Sequence, residues 1–571
     1  MIYRSWIIFI MFWSSLVFLK GQSQPIFIFP MKGDFPVSGN FGEIRSNHFH
    51  SGLDLATNGQ KGFQVFAADN GYVSRIKIST VGYGTAVFIQ HSNGYTTVYG
   101  HLDRLCNRID SFAMANQYKN ESFEIDYFPL PHEIPIKAHE VIGYSGNSGS
   151  SGGPHLHFEV RDSKSEQPVN PQFFIRKLED NVPPGINGFR LYPLTDGSQI
   201  NGRSQPVYYK AVKTASGYKS SELIQIKAGG KVGVGIETID YTVLKGGRPI
   251  GVYSVELFVN NEQIFESQMD RFSFDQTRYI NSFIDYAFLK TNKKTVQKSF
   301  IDPNNKLTLY NGVKNRGVIE IEDGQKYDFK YVVIDNQGNE SILTFTIIGV
   351  PSSPKIEPIP AGYELVKWDD SHEYKSESCL FSINPATLYQ DVKLKFSQLP
   401  KAPGTISSTY QLGNETISLQ NSCQLKIKMP EGYSQLSDRI AIAQLINGKL
   451  VYVTSKVQFG WIGANVRELG KYALVVDTIK PTITAIKVPQ NNNYKNTNKL
   501  EFKILDNFSG INSYRGEVDG KWILFEYDYK SSSLTCPLAK TLKSNSKEHN
   551  LKLIVSDGCG NSSTVNFRFV Y

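Results

Sequence analysis

Apolar and polar residues alternate with a period of two in short runs along most of this chain, the pattern of half-buried strands. In the first third, residues 64–67, 71–76, 85–91, 95–101, 141–145 and 155–161 are predicted as strands between glycine-rich turns. Ser92-Asn93-Gly94-Tyr95 is the clearest turn, because Asn-Gly between β-formers favours a type I′ hairpin. Counting outward from it pairs Ala86 with His101, which places His101 at the open end of the hairpin. Residues 106–135 break the pattern. They are polar and poorly periodic, and read as a long surface insertion of the kind that is often functional or mobile.

Beyond about residue 180 the alternation continues, but Tyr, Asn and Lys dominate it. Gly251-Val252-Tyr253-Ser254, followed by Val259-Asn260-Asn261, matches Gly510-Ile511-Asn512-Ser513, followed by Val518-Asp519-Gly520, at the same offsets. Asp335-Asn336-Gln337-Gly338-Asn339-Glu340-Ser341 likewise matches Asp557-Gly558-Cys559-Gly560-Asn561-Ser562-Ser563. Each reads as a turn between two closing strands, so duplicated modules are the economical explanation. Their Asp and Asn residues are read as turn formers in preference to calcium ligands. Linkers rich in proline fall at Asp180-Asn181-Val182-Pro183-Pro184, at 350–360 and at Asp477-Thr478-Ile479-Lys480-Pro481. The expected organisation is a first domain at 24–175, an immunoglobulin-like β-sandwich at 181–350, a β-sandwich of uncertain type at 361–476 and a second immunoglobulin-like sandwich at 478–571. The module at 181–350 carries an insertion around 269–299, where 285–289 reads as helical. The fold class is all-β.

Length agrees, since 571 residues exceed what one core organises. The formal charge of +8 is spread over the chain, and its Lys and Arg do not cluster with aromatics, which argues against nucleic acid. Residues 1–23 read as an export signal: Arg4, then an apolar or hydroxyl run from Trp6 to Leu19 that is short for a membrane span. It is either cleaved or kept as an anchor, and no later run is long enough to cross a bilayer. The expected location is therefore the periplasm, cell envelope or exterior. The five cysteines lack C-x-x-C spacing, which disfavours a cysteine zinc site; Cys379–Cys423 and Cys536–Cys559 are candidate bridges, with all five as free thiols the alternative.

Histidine changes the picture most. Eight of the ten histidines precede residue 160: His48, His50, His91, His101, His132, His139, His155 and His157. In a strand, His155 and His157 present both imidazoles to one side, with Leu156 opposite. Upstream, His50 and Asp54 share strand parity in His50-Ser51-Gly52-Leu53-Asp54, and Gly52 lets the backbone bend. With one histidine of the downstream pair they offer two imidazoles and one carboxylate. That set suits a zinc ion (Zn2+) with its fourth position open. No H-E-x-x-H helix exists to supply a glutamate base. Proton transfer then falls to His101 and whichever histidine of the 155/157 pair is left over.

Three segments, Asn47-His48-Phe49-His50-Ser51-Gly52-Leu53-Asp54, Tyr99-Gly100-His101-Leu102 and Gly153-Pro154-His155-Leu156-His157-Phe158-Glu159, resemble the signatures of the LytM/lysostaphin-type zinc endopeptidases. Phe41-Gly42, Ile142-Gly143 and Gly146-Asn147-Ser148-Gly149 support the likeness, which covers roughly residues 35–162. The resemblance implies a small β-domain of the duplicated hybrid motif with a groove over the metal. It implies that His50, Asp54 and His157 hold zinc, and that His155 and His101 flank the attacking water and the scissile carbonyl. His48 is expected to stand aside. The implied substrate is the peptide of peptidoglycan, with the later modules as spacers or docking surfaces for cell-envelope proteins. The insertion after Leu102 departs from the family and stands where it can wall the groove. The alternative is an inactive wall-binding scaffold or an activator of a partner hydrolase; such relatives usually lose ligand residues, and none is lost here.

Overall fold

The computed structural model describes residues 26–571 apart from 176–177, 179, 223–224, 243–247, 353–357 and 543–546. The expected signal segment and the centre of the 350–360 linker lie outside the described residues. Among the described residues no helix is long and apolar enough to cross a membrane.

The first domain is a twisted antiparallel sheet with strand order β1-β2-β9-β6-β5-β4-β7, from β1 (Val37–Gly39), β2 (Leu53–Ala56), β4 (Gly71–Ile78), β5 (Thr85–His91), β6 (Tyr95–Leu102), β7 (Ile125–Tyr127) and β9 (His155–Asp162). A small second sheet joins β3 (Gln64–Phe66) to β8 (Val141–Tyr144) and to Arg104–Leu105. Leu53, Leu55, Val73, Val87, Tyr99, Leu156 and Phe158 fill the core between them, fully buried. The alternation read from the sequence is that of a sheet with one face on this core.

One expectation needs correction. The β5–β6 hairpin pairs Phe88 with Val98 and Val87 with Tyr99, one residue out of the predicted register, and returns to Thr85 opposite Leu102 through a bulge. The extra residue falls at the open end, where His101 takes a left-handed φ of 60°. The 106–135 segment, read as a surface insertion with no element assigned, is ordered. It forms helix α1 (Asn107–Asn120) and then β7, which extends the main sheet beside β4. Only Ile109, Ala113 and Gln117 of α1 are buried, a stripe one residue wide that a search for amphipathic periodicity passes over. Arg108 pairs with Glu140 of the same domain at 2.7 Å, and other contacts reach the last module: Asp110 pairs with Lys540 and Glu121, just past the helix, with Arg515, both at 2.7 Å, and Tyr118 meets Trp522 edge-on.

Modules three and four are two-sheet β-domains, of six and five strands and of four and four. Module two is one continuous network of 13 strands. Its 16-residue strand Ile226–Tyr241 pairs with Gly185–Pro193 at one end and Glu340–Gly349 at the other, turning between layers at Gly230, whose φ is +79°. Tyr286–Asn292 is helical, in line with the reading of 285–289. The 269–299 insertion is a wedge: Met269, Phe272, Tyr279, Ile280 and Phe283 pack with Phe41 and Phe49 of the first domain and Tyr389 of the third module. All five cysteines are free thiols.

Candidate metal and catalytic site

The site is laid across three neighbouring strands. In the β9 ladders His157 stands opposite Asp54 of β2 on one side and Gly100 of β6 on the other. A Cβ at Gly100 would sit 3.4 Å from the His157 ring, so a larger residue there would press on the imidazole. His50 is not on a strand, so the parity argument does not place it; the turn before β2 does, through a hydrogen bond from its backbone N–H to Glu43 O and from the Gly42 N–H to His50 O. Gly52 serves close approach rather than bending: a Cβ would lie 2.4 Å from Phe158 O.

His50 Nε2, His157 Nδ1 and Asp54 Oδ1 lie 2.9–3.0 Å from one another, and all three residues are buried. Their outer atoms are held as well. His50 Nδ1 donates to Asn40 O at 2.8 Å, and His157 Nε2 donates to Glu159 Oε1 at 2.8 Å. With both rings neutral, these bonds fix the tautomers so that two imidazole lone pairs and a carboxylate oxygen point at one another. Such an arrangement demands a positive charge among the donors, either a proton or a cation. Two nitrogens, one oxygen and these separations match an ion bound at about 2.0–2.2 Å.

Charge around the donors follows the same logic. Burial opposes ionisation of Asp54, but the neighbouring His50, His155 and His157 hold its carboxyl well below the usual range, and Arg45 Nη2 grips its other oxygen at 2.6 Å. Burial would also lower His157, yet its bonds to Asp54 and Glu159 raise it to about 9 when no cation is present. Glu159 is fully buried and still ionised, because Arg161, His157 and Ser51 outweigh desolvation. Arg161 donates to Glu159 Oε2 at 2.6 Å and to the Tyr83 hydroxyl at 3.0 Å, while Tyr83 and Ser51 donate to Glu159 Oε1.

His101 and His155 flank the donors, their ring centroids 4.8 Å apart. His101 Nδ1 donates to Ser148 O at 2.9 Å and His155 Nδ1 to Gly153 O at 2.8 Å, leaving both Nε2 lone pairs free. Burial, then the neighbouring His157 and His155, lowers His101 to about 3, so it is neutral and a proton acceptor. His155 Nε2 is buried without a hydrogen bond, 3.3 Å from Asp54 Oδ1.

The structure therefore brings together His50, Asp54, His101, His155 and His157. His48, His132 and His139 are exposed, and His91 is a buried structural residue bonded to Asn70 O and Thr97 Oγ1. Sequence reasoning passed over Glu159, Arg161, Tyr83 and Arg45. Glu159 and Arg161 share strand parity with His157, which was a legible signal; Tyr83 and Arg45 carried none.

Residues 48–117 match Peptidase family M23, and the order of His50, Asp54, His101, His155 and His157 across the sheet agrees with the signatures. The N-terminal domain is an M23 peptidase domain. Over 122 residues it is 36% identical to the DD-carboxypeptidase/endopeptidase Mpg of Neisseria meningitidis serogroup B, covering 21% of this chain and 22% of that protein. Over 148 residues it is 28% identical to the murein hydrolase activator NlpD of Salmonella typhimurium, covering 26% of this chain and 32% of that protein. The chain thus spans about a fifth to a third of the length of these curated relatives. Among solved structures, the catalytic domain of the prophage-encoded M23 protein EnpA from Enterococcus faecalis is similar at 26% identity, over 26% of this chain and 96% of that one, with a TM-score of 0.19. Outside the M23 domain, residues 363–477 match a Zu5-like domain.

Proposed function

We propose that this chain is an exported zinc metallo-endopeptidase that hydrolyses peptide cross-links or stem peptides of peptidoglycan. The supporting observation is the fixed pair of tautomers, which turns His50 Nε2, His157 Nδ1 and Asp54 Oδ1 into three lone-pair donors aimed at one point. These three would hold zinc, and when bound it supplies Lewis acidity that polarises a carbonyl and acidifies water. His155 would take the proton of the attacking water at its free Nε2 and pass it to the leaving amine. His101, neutral before attack, would share that work and donate a hydrogen bond to the developing oxyanion once protonated. The Glu159–Arg161–Tyr83 network would keep the His157 ring aimed. The relatives' names, a carboxypeptidase/endopeptidase and a murein hydrolase activator, support wall peptide as the polymer acted upon.

A second reading, that the domain activates a partner hydrolase without cleaving, is favoured by the NlpD likeness alone. The retained flanking histidines weigh against it. One experiment separates them: measure zinc content, then digest purified sacculi with and without a chelator and identify the released muropeptides. Zinc near one equivalent with chelator-sensitive release is expected. A zinc-free protein, or a zinc-loaded one that releases nothing, rejects the hydrolase.

A further inference from the structure

We propose that modules two and four each bind one calcium ion, at Asp180/Asp240/Asp335 and at Asp477/Asp506/Asp557, and that these ions fasten the linkers entering the two modules. In each group one carboxylate oxygen per residue lies within 4.8 Å of the others. Asp180, Asp240 and Asp335 are 8%, 1% and 1% exposed. None of the six carboxylates forms an ion pair with Lys, Arg or His among the described residues. Buried charges in native proteins are paired or bind metals.

Turn chemistry explains part of each cluster. Asp335 Oδ1 accepts the backbone N–H groups of Gln337 and Asn339, and Asp557 Oδ1 those of Cys559 and Asn561. It does not explain Asp240, which arrives from the end of the long strand of module two. Its Oδ1 is sealed from solvent and meets no donor. Asp506 Oδ1 in the second cluster also meets no donor, on a residue that is only partly buried and whose Oδ2 caps the turn to Phe508 and Gly510.

The two sites are built alike from the duplicated sequence. The Asn339 amide donates to Asp180 O as the Asn561 amide does to Asp477 O. Ser341 donates to Pro184 O as Ser563 does to Pro481 O. In both, the first aspartate belongs to the incoming linker, so an ion there ties linker to module. An open cleft of about 490 Å³ between the M23 domain and module two is lined by Asp180, Asp240, Asn336 and Gln337 and offers an entry path. Donors that are all carboxylate oxygens select a hard cation. Clustered carboxylates around a largely dry point suit calcium's flexible six- to eight-fold coordination better than magnesium, which keeps its waters.

The test uses the full chain with its zinc kept saturating. Calcium is stripped with EGTA, the chelator is dialysed away and zinc is restored, and calcium chloride is then titrated by calorimetry and by thermal melting. Wild type should bind two calcium ions, with a melting temperature that climbs with calcium concentration. Asp240→Asn and Asp506→Asn should each bind one. The calcium-free melting temperature of Asp240→Asn should be no lower than that of wild type, because removing a buried charge relieves repulsion. No heat and no melting shift up to about 10 mM calcium, roughly ten times the weak end of about 1 mM for extracellular modules, would overturn the proposal. So would two ions still bound in both variants, or magnesium binding in place of calcium.

Discussion

The M23 site and the aspartate clusters use the same side chain under opposite electrostatic terms. Asp54 is buried among imidazoles and gripped by Arg45, and Glu159 behind it is paired with Arg161, so the negative charges have protein partners. Asp240 is buried as deeply, with Asp180 and Asp335 as its charged neighbours. The first arrangement folds and then tunes its donors. The second stores repulsion that a bound cation would relieve. A buried carboxylate thus points to chemistry or to ion-dependent rigidity according to what faces it, and residue type alone does not separate the cases.

The largest expected effect is catalytic. His157→Ala should abolish both zinc binding and sacculus digestion. His155→Ala should keep its zinc while activity falls about 10²- to 10⁴-fold; full activity in that variant would remove His155 as the base. Next comes the compensated charge behind the donors. Glu159→Ala leaves the buried Arg161 guanidinium with only its longer carboxylate contact, to Glu166 at 3.5 Å, at a cost of about 3–5 kcal/mol in urea unfolding. It should also weaken zinc binding about 10- to 100-fold, and a stable variant with native zinc affinity would show that the network aims nothing.

Smaller is the coupling between domains. The Asn40 side chain exchanges two hydrogen bonds with Gly251 of module two, at 2.6 and 2.8 Å, while its carbonyl holds His50. Asn40→Ala should cost about 1–3 kcal/mol and lower zinc affinity measurably; unchanged affinity would mean that module two does not steady the site.

The smallest effect is a difference of sign in the pH dependence. Glu159 has a depressed folded pKa, so its stabilisation is present above about pH 4.3 and is lost as the pH falls below that. Asp240 is raised to about 7, so without calcium it binds more protons folded than unfolded, and stability falls as pH rises from about 4 to 7. In EGTA, the melting temperature of wild type relative to Asp240→Asn should therefore drop between pH 5 and 8, and calcium should cancel the drop. A flat difference in EGTA would put Asp240 among ordinary carboxylates.

Strand positions were legible because half-buried strands write a period of two, and the five residues that the fold brings together stood out by type and by their place in three signatures, although strand parity does not place His50. Glu159 and Arg161 were equally readable by parity from His157. Helix α1 was not, since only a one-residue stripe of it faces the M23 core and several partners of its outer face, Lys540, Arg515 and Trp522, stand some 400 residues later. The hairpin register was missed because a bulge at one end leaves no mark in composition.

The sequence by itself determined which atoms are available: the histidine signatures, the alternating strands, and the duplicated Asp-rich turns. Tertiary structure decided which of them meet. Asp180 and Asp335 each look like ordinary turn or linker residues until the fold brings Asp240 against them, and His50 and His157 become lone-pair donors only because Asn40 and Glu159, respectively, hold the protons on the far sides of their rings. Local pattern follows from the nearest neighbours along the chain, whereas lone-pair direction and charge balance depend on groups that only folding brings within a few ångströms.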